Sequence, residues 1–427
     1  MALVGLLISS LIAMPLQADE PTEARELLKA QRVVFLGDSI TYAGQYIAYL
    51  ESYLTTRFPE RRFEFIDLGL PSETCSGLSE PGHAGGKFPR PDVHERLGRV
   101  LEKLKPNLIV ACYGMNCGMY HPVSEERLAK YQDGMRRLRS AAKAAGAKVL
   151  HLTPPVFDPL PLAGRTLPAG KESYSQPYEG YNEVLGRFSE FLLSQREHGW
   201  SVIDIHGPMN QHLANRRKSD PKFVLAGDGV HAGPTGHWLM TEQILLALGV
   251  TAEKARLSLD VTTGKVTAKE TASAKRDANT WIIDWKAPVP MAIGGSWDTT
   301  SLESEGSYRR FLNQTLIVTG LASGSYELFE KETRLKTLTS EELQNGVNLA
   351  VTGGLSSNSR AVELQKLITA RQRLLTDAWL NEVGHLRPGM AKGLPVSEAS
   401  AQAKSLGEKI AELAQPVSLV LRVVKKE

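Results

Sequence analysis

Residues 33–54 read VVFLGDSITYAGQYIAYLESYL. Four apolar residues, two of them β-branched, run into Gly37-Asp38-Ser39, and an amphipathic stretch follows. This is a buried strand that stops on a glycine and hands a serine to the start of a helix. Outward from it the same alternation repeats. Apolar strand candidates stand at Arg32–Leu36, Arg62–Asp67, Asn107–Cys112, Lys148–Leu152 and Ser201–Ile205. Helical patterns lie between and after them, near 43–56, 93–104, 124–145, 179–198 and 234–248. Short apolar strands separated by helix-length segments imply a parallel sheet covered on both faces, a doubly wound α/β domain over residues 31–250.

Two connections are long, Leu68–Pro91 and Thr153–Pro177, rich in Gly, Pro and Ser and without periodicity. Each follows a strand, so each is expected at the carboxyl edge of the sheet, where open α/β sheets bind ligands. Ser39 belongs to the same edge. Beyond residue 250 the texture changes: residues 257–350 are β-rich, 359–414 helical, and 417–424 form a last apolar strand. These imply a smaller C-terminal α/β accessory region, 257–427, packed on the first domain.

With 427 residues, 42% of them hydrophobic and 23% charged, the chain has material for two globular units. A formal net charge of +3 with scattered Lys and Arg excludes nucleic acid as the main partner. Residues 1–18 are apolar and uncharged, end in Leu16-Gln17-Ala18, and are too short and interrupted to span a bilayer. They read as a signal peptide, which predicts a secreted or periplasmic protein without stable membrane insertion. Of the three cysteines, either Cys112 and Cys117 pair and leave Cys75 odd, or all three are free.

A serine hydroxyl needs a base, and the base needs an orienting acid. The stretch AGDGVHAGPTGHWLM supplies both, Asp228 and His231, three residues apart in a Gly-rich loop. CYGMNCGMY, after the third strand, offers Asn116 as a donor to a developing oxyanion. The backbone N–H of Ser39 and one from LGLPSET, at Gly69 or Ser72, complete the set. No HExxH, P-loop or G-x-S-x-G spacing occurs, so no metal or organic cofactor is expected. His151 and His237 read as packing residues, and His83 and His94 flank the first long loop. Tyr174, Tyr178, Tyr181, Trp281, Trp285 and Trp297 are either sugar platforms or core.

Gly37-Asp38-Ser39, the turn Gly69–Thr74, Gly114-Met115-Asn116 and Asp228–His231, in this order, resemble the SGNH (GDSL-like) hydrolase family. The resemblance covers residues 31–250 and implies a flavodoxin-like α/β/α esterase. In it Ser39 would be nucleophile, His231 base and Asp228 its orienter, with Asn116 and a second-block residue in the oxyanion hole. Two departures stand out: Ser72 replaces the second-block glycine, and Cys117 replaces the acid after Asn116. The resulting expectation is an exported serine esterase taking small acyl groups from a small-molecule or polysaccharide ester. A lipase or lysophospholipase, and a carbohydrate-binding protein on a lapsed hydrolase fold, are the alternatives.

Overall fold

A computed structural model describes residues 25–171, 176–250, 255–385 and 392–426. The expected signal peptide and Tyr174 lie outside the described residues. Five strands, β1 (Arg32–Gly37), β2 (Glu64–Asp67), β3 (Leu108–Cys112), β4 (Lys148–Leu152) and β5 (Ser201–Ile203), form a sheet in the order β2-β1-β3-β4-β5. Every pairing in it is parallel. The strands are continuous apolar runs because both faces are covered, and Val33, Val34, Phe35 and Leu36 are fully buried.

Seven helices accompany this sheet: α1 (Ser39–Tyr42), α2 (Gln45–Arg57), α3 (Val93–Leu104), α4 (Glu125–Ala144), α5 (Tyr181–Ser194), α6 (His206–Ser219) and α7 (Pro234–Ala247). Helix α2 packs on α7, while α3 packs on α4 and α4 on α5. This is the three-layer α/β/α arrangement expected. Helix α6 was not anticipated. Its sequence, HGPMNQHLANRRKS, is mostly polar and carries Gly207-Pro208 in its first turn, where proline costs no hydrogen bond.

The C-terminal part holds two packed sheets followed by helices and a last strand. One has the order β13-β10-β6-β7, from Arg256–Asp260 (β6), Lys265–Ala268 (β7), Thr315–Thr319 (β10) and Val347–Asn348 (β13). The other runs β12-β11-β14-β9-β8, from Ala272–Asp277 (β8), Thr280–Ala287 (β9), Ser325–Glu330 (β11), Thr333–Thr339 (β12) and Val417–Lys425 (β14). Leu257, Leu259, Leu316 and Val318 from the first meet Ile283, Trp285, Leu419 and Leu421 from the second in a shared core. Trp285 is therefore core, not a platform.

Short helices α8 (Thr299–Ser304), α9 (Ser307–Arg310) and α10 (Ser340–Asn345) precede a helical pair, α11 (Ser356–Val383) and α12 (Val396–Leu413). Helix α11 leaves the sandwich and docks on α2 through Ala48, Leu364 and Ile368, with Ile410 and Ala414 beneath. Gln372 Nε2 donates to the buried Glu51 Oε2 (2.7 Å), and Arg371 pairs with the other oxygen. The arm before α8 and the segment after it also enter the first core, through Met291, Trp297, Leu302, Phe311 and Leu312. Trp297 Nε1 donates to Tyr49 Oη (3.2 Å), and His212 of α6 bridges Ser301 (2.9 Å) and Glu305 (2.7 Å). The region after residue 257 is thus fastened to the first domain along an arm and a helix.

Candidate active site

Strand β1 ends on glycine for a steric reason: a Cβ on Gly37 would lie 2.1 Å from Thr41 Oγ1 and 2.7 Å from the Cys112 carbonyl. The chain turns there directly into α1. Asp38 is the N-cap, its Oδ1 accepting from Ile40 N (2.9 Å). The capping role thus falls to Asp38 and leaves the Ser39 hydroxyl available. Burial, against the bond from Ile40, pushes the Asp38 carboxyl up to about 6.

Ser39 Oγ lies 2.7 Å from His231 Nε2. His231 Nδ1 lies 2.6 Å from Asp228 Oδ2, and Asp228 Oδ1 accepts from the backbone of Val230 (3.0 Å) and His231 (2.7 Å). The carboxylate therefore anchors both the ring and the loop that carries it. Partial burial works to raise the Asp228 carboxyl, but the bonds from the His231 side chain, the His231 N–H and the Val230 N–H hold it below its ordinary value. The histidine side chain is 48% exposed and the aspartate 55%, so the three groups line an open surface at the carboxyl edge of the sheet.

Three donors remain for an oxyanion. Ser39, as first residue of α1, has an N–H without an intrahelical acceptor. The Ser72 N–H bonds to no described residue, and Ser72 sits in the left-handed region (φ 68°), where a glycine is ordinarily found. Asn116 Nδ2 makes one long bond to the Glu73 carbonyl (3.4 Å). The expectation for Gly69 is corrected. Its N–H is spent on Asp67 Oδ1 (2.8 Å), and a Cβ there would lie 2.1 Å from the Tyr42 backbone nitrogen. Gly69 is glycine because α1 passes against it.

What the sequence did not reveal is how Asn116 is held. Arg90 Nη1 donates to Asn116 Oδ1 (2.9 Å), with Tyr120 Oη at 3.3 Å. Arg90 is itself gripped by Glu80 through two bonds (2.7 and 2.8 Å), and His83 adjoins that carboxylate (3.4 Å). Arg90, Glu80 and His83 are all buried. The long loop 68–91 thus folds inward around a charged pair whose end orients the amide. Its only trace in the sequence is an arginine set between two prolines, Pro89-Arg90-Pro91, ten residues after Glu80.

Cys117 faces away from Asn116. Its sulfur lies 3.6 Å from that of Cys75, both fully buried and both free thiols, so the neighbour of Cys117 is Cys75 rather than Cys112. Below the loop, Arg96 holds Glu73 through two bonds of 2.6 Å, and Tyr113 Oη donates to the same carboxylate (2.6 Å). Tyr181 is fully buried, donating to the Met115 carbonyl (2.8 Å) and accepting from Gly118 N (3.1 Å). It is a strut for the third-block loop, not a sugar platform. His94 meets the Cys75 carbonyl (3.2 Å), His151 stacks on Trp200 (4.7 Å) and His237 on Tyr46 (6.1 Å). Among the described residues no cluster of His, Cys, Asp and Glu is placed to hold a metal ion.

Residues 35–239 match the model of the GDSL-like Lipase/Acylhydrolase family. Among solved structures, a gut microbial diltiazem-metabolizing enzyme superposes with a TM-score of 0.74 at 19% identity, covering 93% of this chain and 98% of that one. The two therefore share a fold over nearly their whole length. Axe2, an acetylxylan esterase from Geobacillus stearothermophilus, matches with a TM-score of 0.37 at 18% identity, over 52% of this chain and 94% of its own. The acetyl xylan esterase AlAXEase gives 0.38 at 18%, over 51% and 99%. No curated protein matches.

Proposed function

Because residues 35–239 are a GDSL-like lipase/acylhydrolase domain, an ester-hydrolysing unit, we propose that this chain is an exported serine esterase that removes acetyl or similarly small acyl groups from carbohydrate through an acyl-enzyme. The observation that carries the proposal is the relay Ser39 Oγ, His231, Asp228, with contacts of 2.7 and 2.6 Å. In this reading Ser39 Oγ attacks the ester carbonyl as His231 Nε2 takes its proton. Asp228 keeps the proton of the neutral ring on Nδ1 and steadies the imidazolium that forms. The tetrahedral oxyanion faces the N–H groups of Ser39 and Ser72 and the amide of Asn116, each such donor being worth about 2.7–4 kcal/mol.

His231 then protonates the departing alcohol, leaving the acyl group on Ser39. Water, deprotonated by His231, releases it as the carboxylic acid and restores the serine. The buried Glu80–Arg90 pair beside Asn116 favours a short acyl group, since a long apolar chain laid over it would be poorly solvated and gain little. Both long loops are polar, which suits a hydroxyl-rich leaving group. Export rests on the apolar, uncharged residues 1–18. The lapsed-hydrolase alternative draws on Cys117 and on the appended C-terminal region; the Arg90 bond to Asn116 supports the esterase reading, since it holds Asn116 without an acid at position 117.

The test is hydrolysis of p-nitrophenyl acetate by the purified chain and by Ser39→Ala, over about pH 5 to 9. Turnover by the wild type across this range that the variant lacks supports the reading. Equal inertness of two folded proteins toward this ester and a panel of acetylated sugars would end it.

A further inference from the structure

A cleft of about 670 Å³ opens beside the relay, between the start of α2, the turn 292–297 and the outer face of α11. It is lined by Tyr42, one helical turn past Ser39, and by Pro234, three residues past His231. Its far wall is a stripe of α11 at helical spacing, Val362, Lys366, Thr369 and Arg373. Arg373 is set in place by Asp377 (3.0 Å) and by Tyr42 Oη (2.5 Å), and lies 4.7 Å over the Tyr42 ring. The cleft thus exists only because the C-terminal helix closes over the hydrolase sheet.

Its chemistry is mixed. Tyr42 supplies ring surface, and Val362 is 43% exposed at the mouth. The side chains of Gln45, Gln365, Lys366 and Thr369 bond to no described residue and border the open space. Asp67, 3% exposed, spends one oxygen on Gly69; the other lies 3.2 Å from where a Cβ on Gly44 would stand and has no partner among the described residues. A fatty chain here would lie against the buried Asp67 carboxyl and the Lys366 ammonium and satisfy neither. An ammonium-bearing alcohol would meet Lys366 and Arg373, and a polyanion would meet Asp67. A neutral sugar has an apolar ring face for Tyr42 and Val362 and hydroxyls that both donate and accept, so it satisfies the whole set.

We propose that this cleft binds the sugar units flanking the acylated one, making the C-terminal helix part of the substrate site. The inference rests on the esterase reading above and deepens it. Ala370 is an exposed, small wall residue, and Ala370→Trp fills the cleft without entering the core. Lys366→Ala, also at an exposed position, removes a donor and serves where the bulky variant does not fold.

Kinetics are compared on p-nitrophenyl acetate, p-nitrophenyl octanoate, an acetylated monosaccharide, and acetylated β-1,4-linked tetrasaccharides of glucose, xylose and mannose. The expected result is a rise of about tenfold or more in tetrasaccharide KM for Ala370→Trp, with kcat and p-nitrophenyl acetate hydrolysis within about threefold of wild type. Unchanged tetrasaccharide kinetics in both variants overturn the proposal. So does a loss confined to the octanoate, which would make the cleft an acyl channel. A second arm separates this from failure of the esterase reading: the deacetylated tetrasaccharides are titrated calorimetrically onto Ser39→Ala with and without Ala370→Trp. Binding abolished by the tryptophan upholds the cleft even if wild type hydrolyses nothing, and no binding to either protein overturns it.

Discussion

Replacing Arg90 with methionine keeps an apolar stem of similar reach and deletes the guanidinium. With it go the two bonds to Glu80 (2.7 and 2.8 Å) and the one to Asn116 Oδ1 (2.9 Å). Asn116 keeps Tyr120, at 3.3 Å, on its carbonyl oxygen and loses the charged partner that fixes the orientation of its amide. Complete removal of an oxyanion donor costs about 10²–10³ in kcat, which bounds the effect from above. The lost charge-assisted bond is worth about 1.5–3 kcal/mol, so a fall of about 10–100-fold in kcat is expected, with KM little changed.

Stability falls too, by about 3–5 kcal/mol, because Glu80 would be left a buried carboxylate without its arginine, with His83 beside it at 3.4 Å. Glu80→Gln/Arg90→Met relieves that charge and isolates the kinetic effect. The decisive assay is a double-mutant cycle on kcat for p-nitrophenyl acetate with Asn116→Ala. If Arg90 acts through Asn116, the combined variant is no slower than Asn116→Ala alone. Effects that multiply, or an Arg90→Met enzyme with unchanged kcat beside a crippled Asn116→Ala, would refute the reasoning.

Ser72→Gly relieves a left-handed serine and is expected to stabilise the protein by up to about 1 kcal/mol in urea unfolding while leaving turnover intact. A destabilised variant would show that the serine side chain is needed there. Cys117→Asp restores the residue type expected at that position but buries a carboxylate against Cys75; it should lose about 3 kcal/mol or more and gain no activity. Burial, opposed in part by Arg310, raises the Glu242 carboxyl from its ordinary 4.5 to about 7. Its folded value exceeds the unfolded one, so its contribution is fully present below about 4.5 and is lost as pH rises toward 7, on the order of 3 kcal/mol. Glu242→Gln should therefore gain on wild type by that amount between about pH 4.5 and 7.5 in urea melts, and a constant difference would contradict it.

Elements whose signal is local were legible from sequence. Strands β1 to β5 are short apolar runs, and each observed strand overlaps its expected one within two residues at either end. Ser39, Asp228 and His231 carry their positions in motifs a few residues long, so their meeting could be anticipated from strand order alone. Helix α6 could not, because a polar helix with Gly-Pro near its start shows no stripe. Arg90 escaped for a related reason. One partner stands 10 residues back in a loop without period and the other 26 residues on, beyond α3 and β3, and charge pairing has no periodicity to detect. Gly69 stood beside Ser72 as a candidate donor because a sequence does not show where a backbone N–H is spent, here on Asp67 Oδ1. In the C-terminal part the β-rich character was visible, but which strand lies beside which depends on contacts across more than a hundred residues.

Strand β14 occupies the interior of its sheet, between β9 and β11, pairing with Val424 opposite Thr280 on one side and Glu327 on the other. During synthesis, the parallel sheet and the Ser39–His231 relay have all their strands and side chains once residue 231 has emerged. The sandwich has no bridge between its inner strands until residues 417–425 arrive, almost two hundred residues later. Helix α11 leaves that sandwich at Ser356, whose N–H donates to Glu330 of β11 (2.7 Å), and packs on α2, so the wall of the cleft follows the relay in order of synthesis. A chain interrupted before α11 would keep the reacting groups and lose the cleft wall that lies beside them.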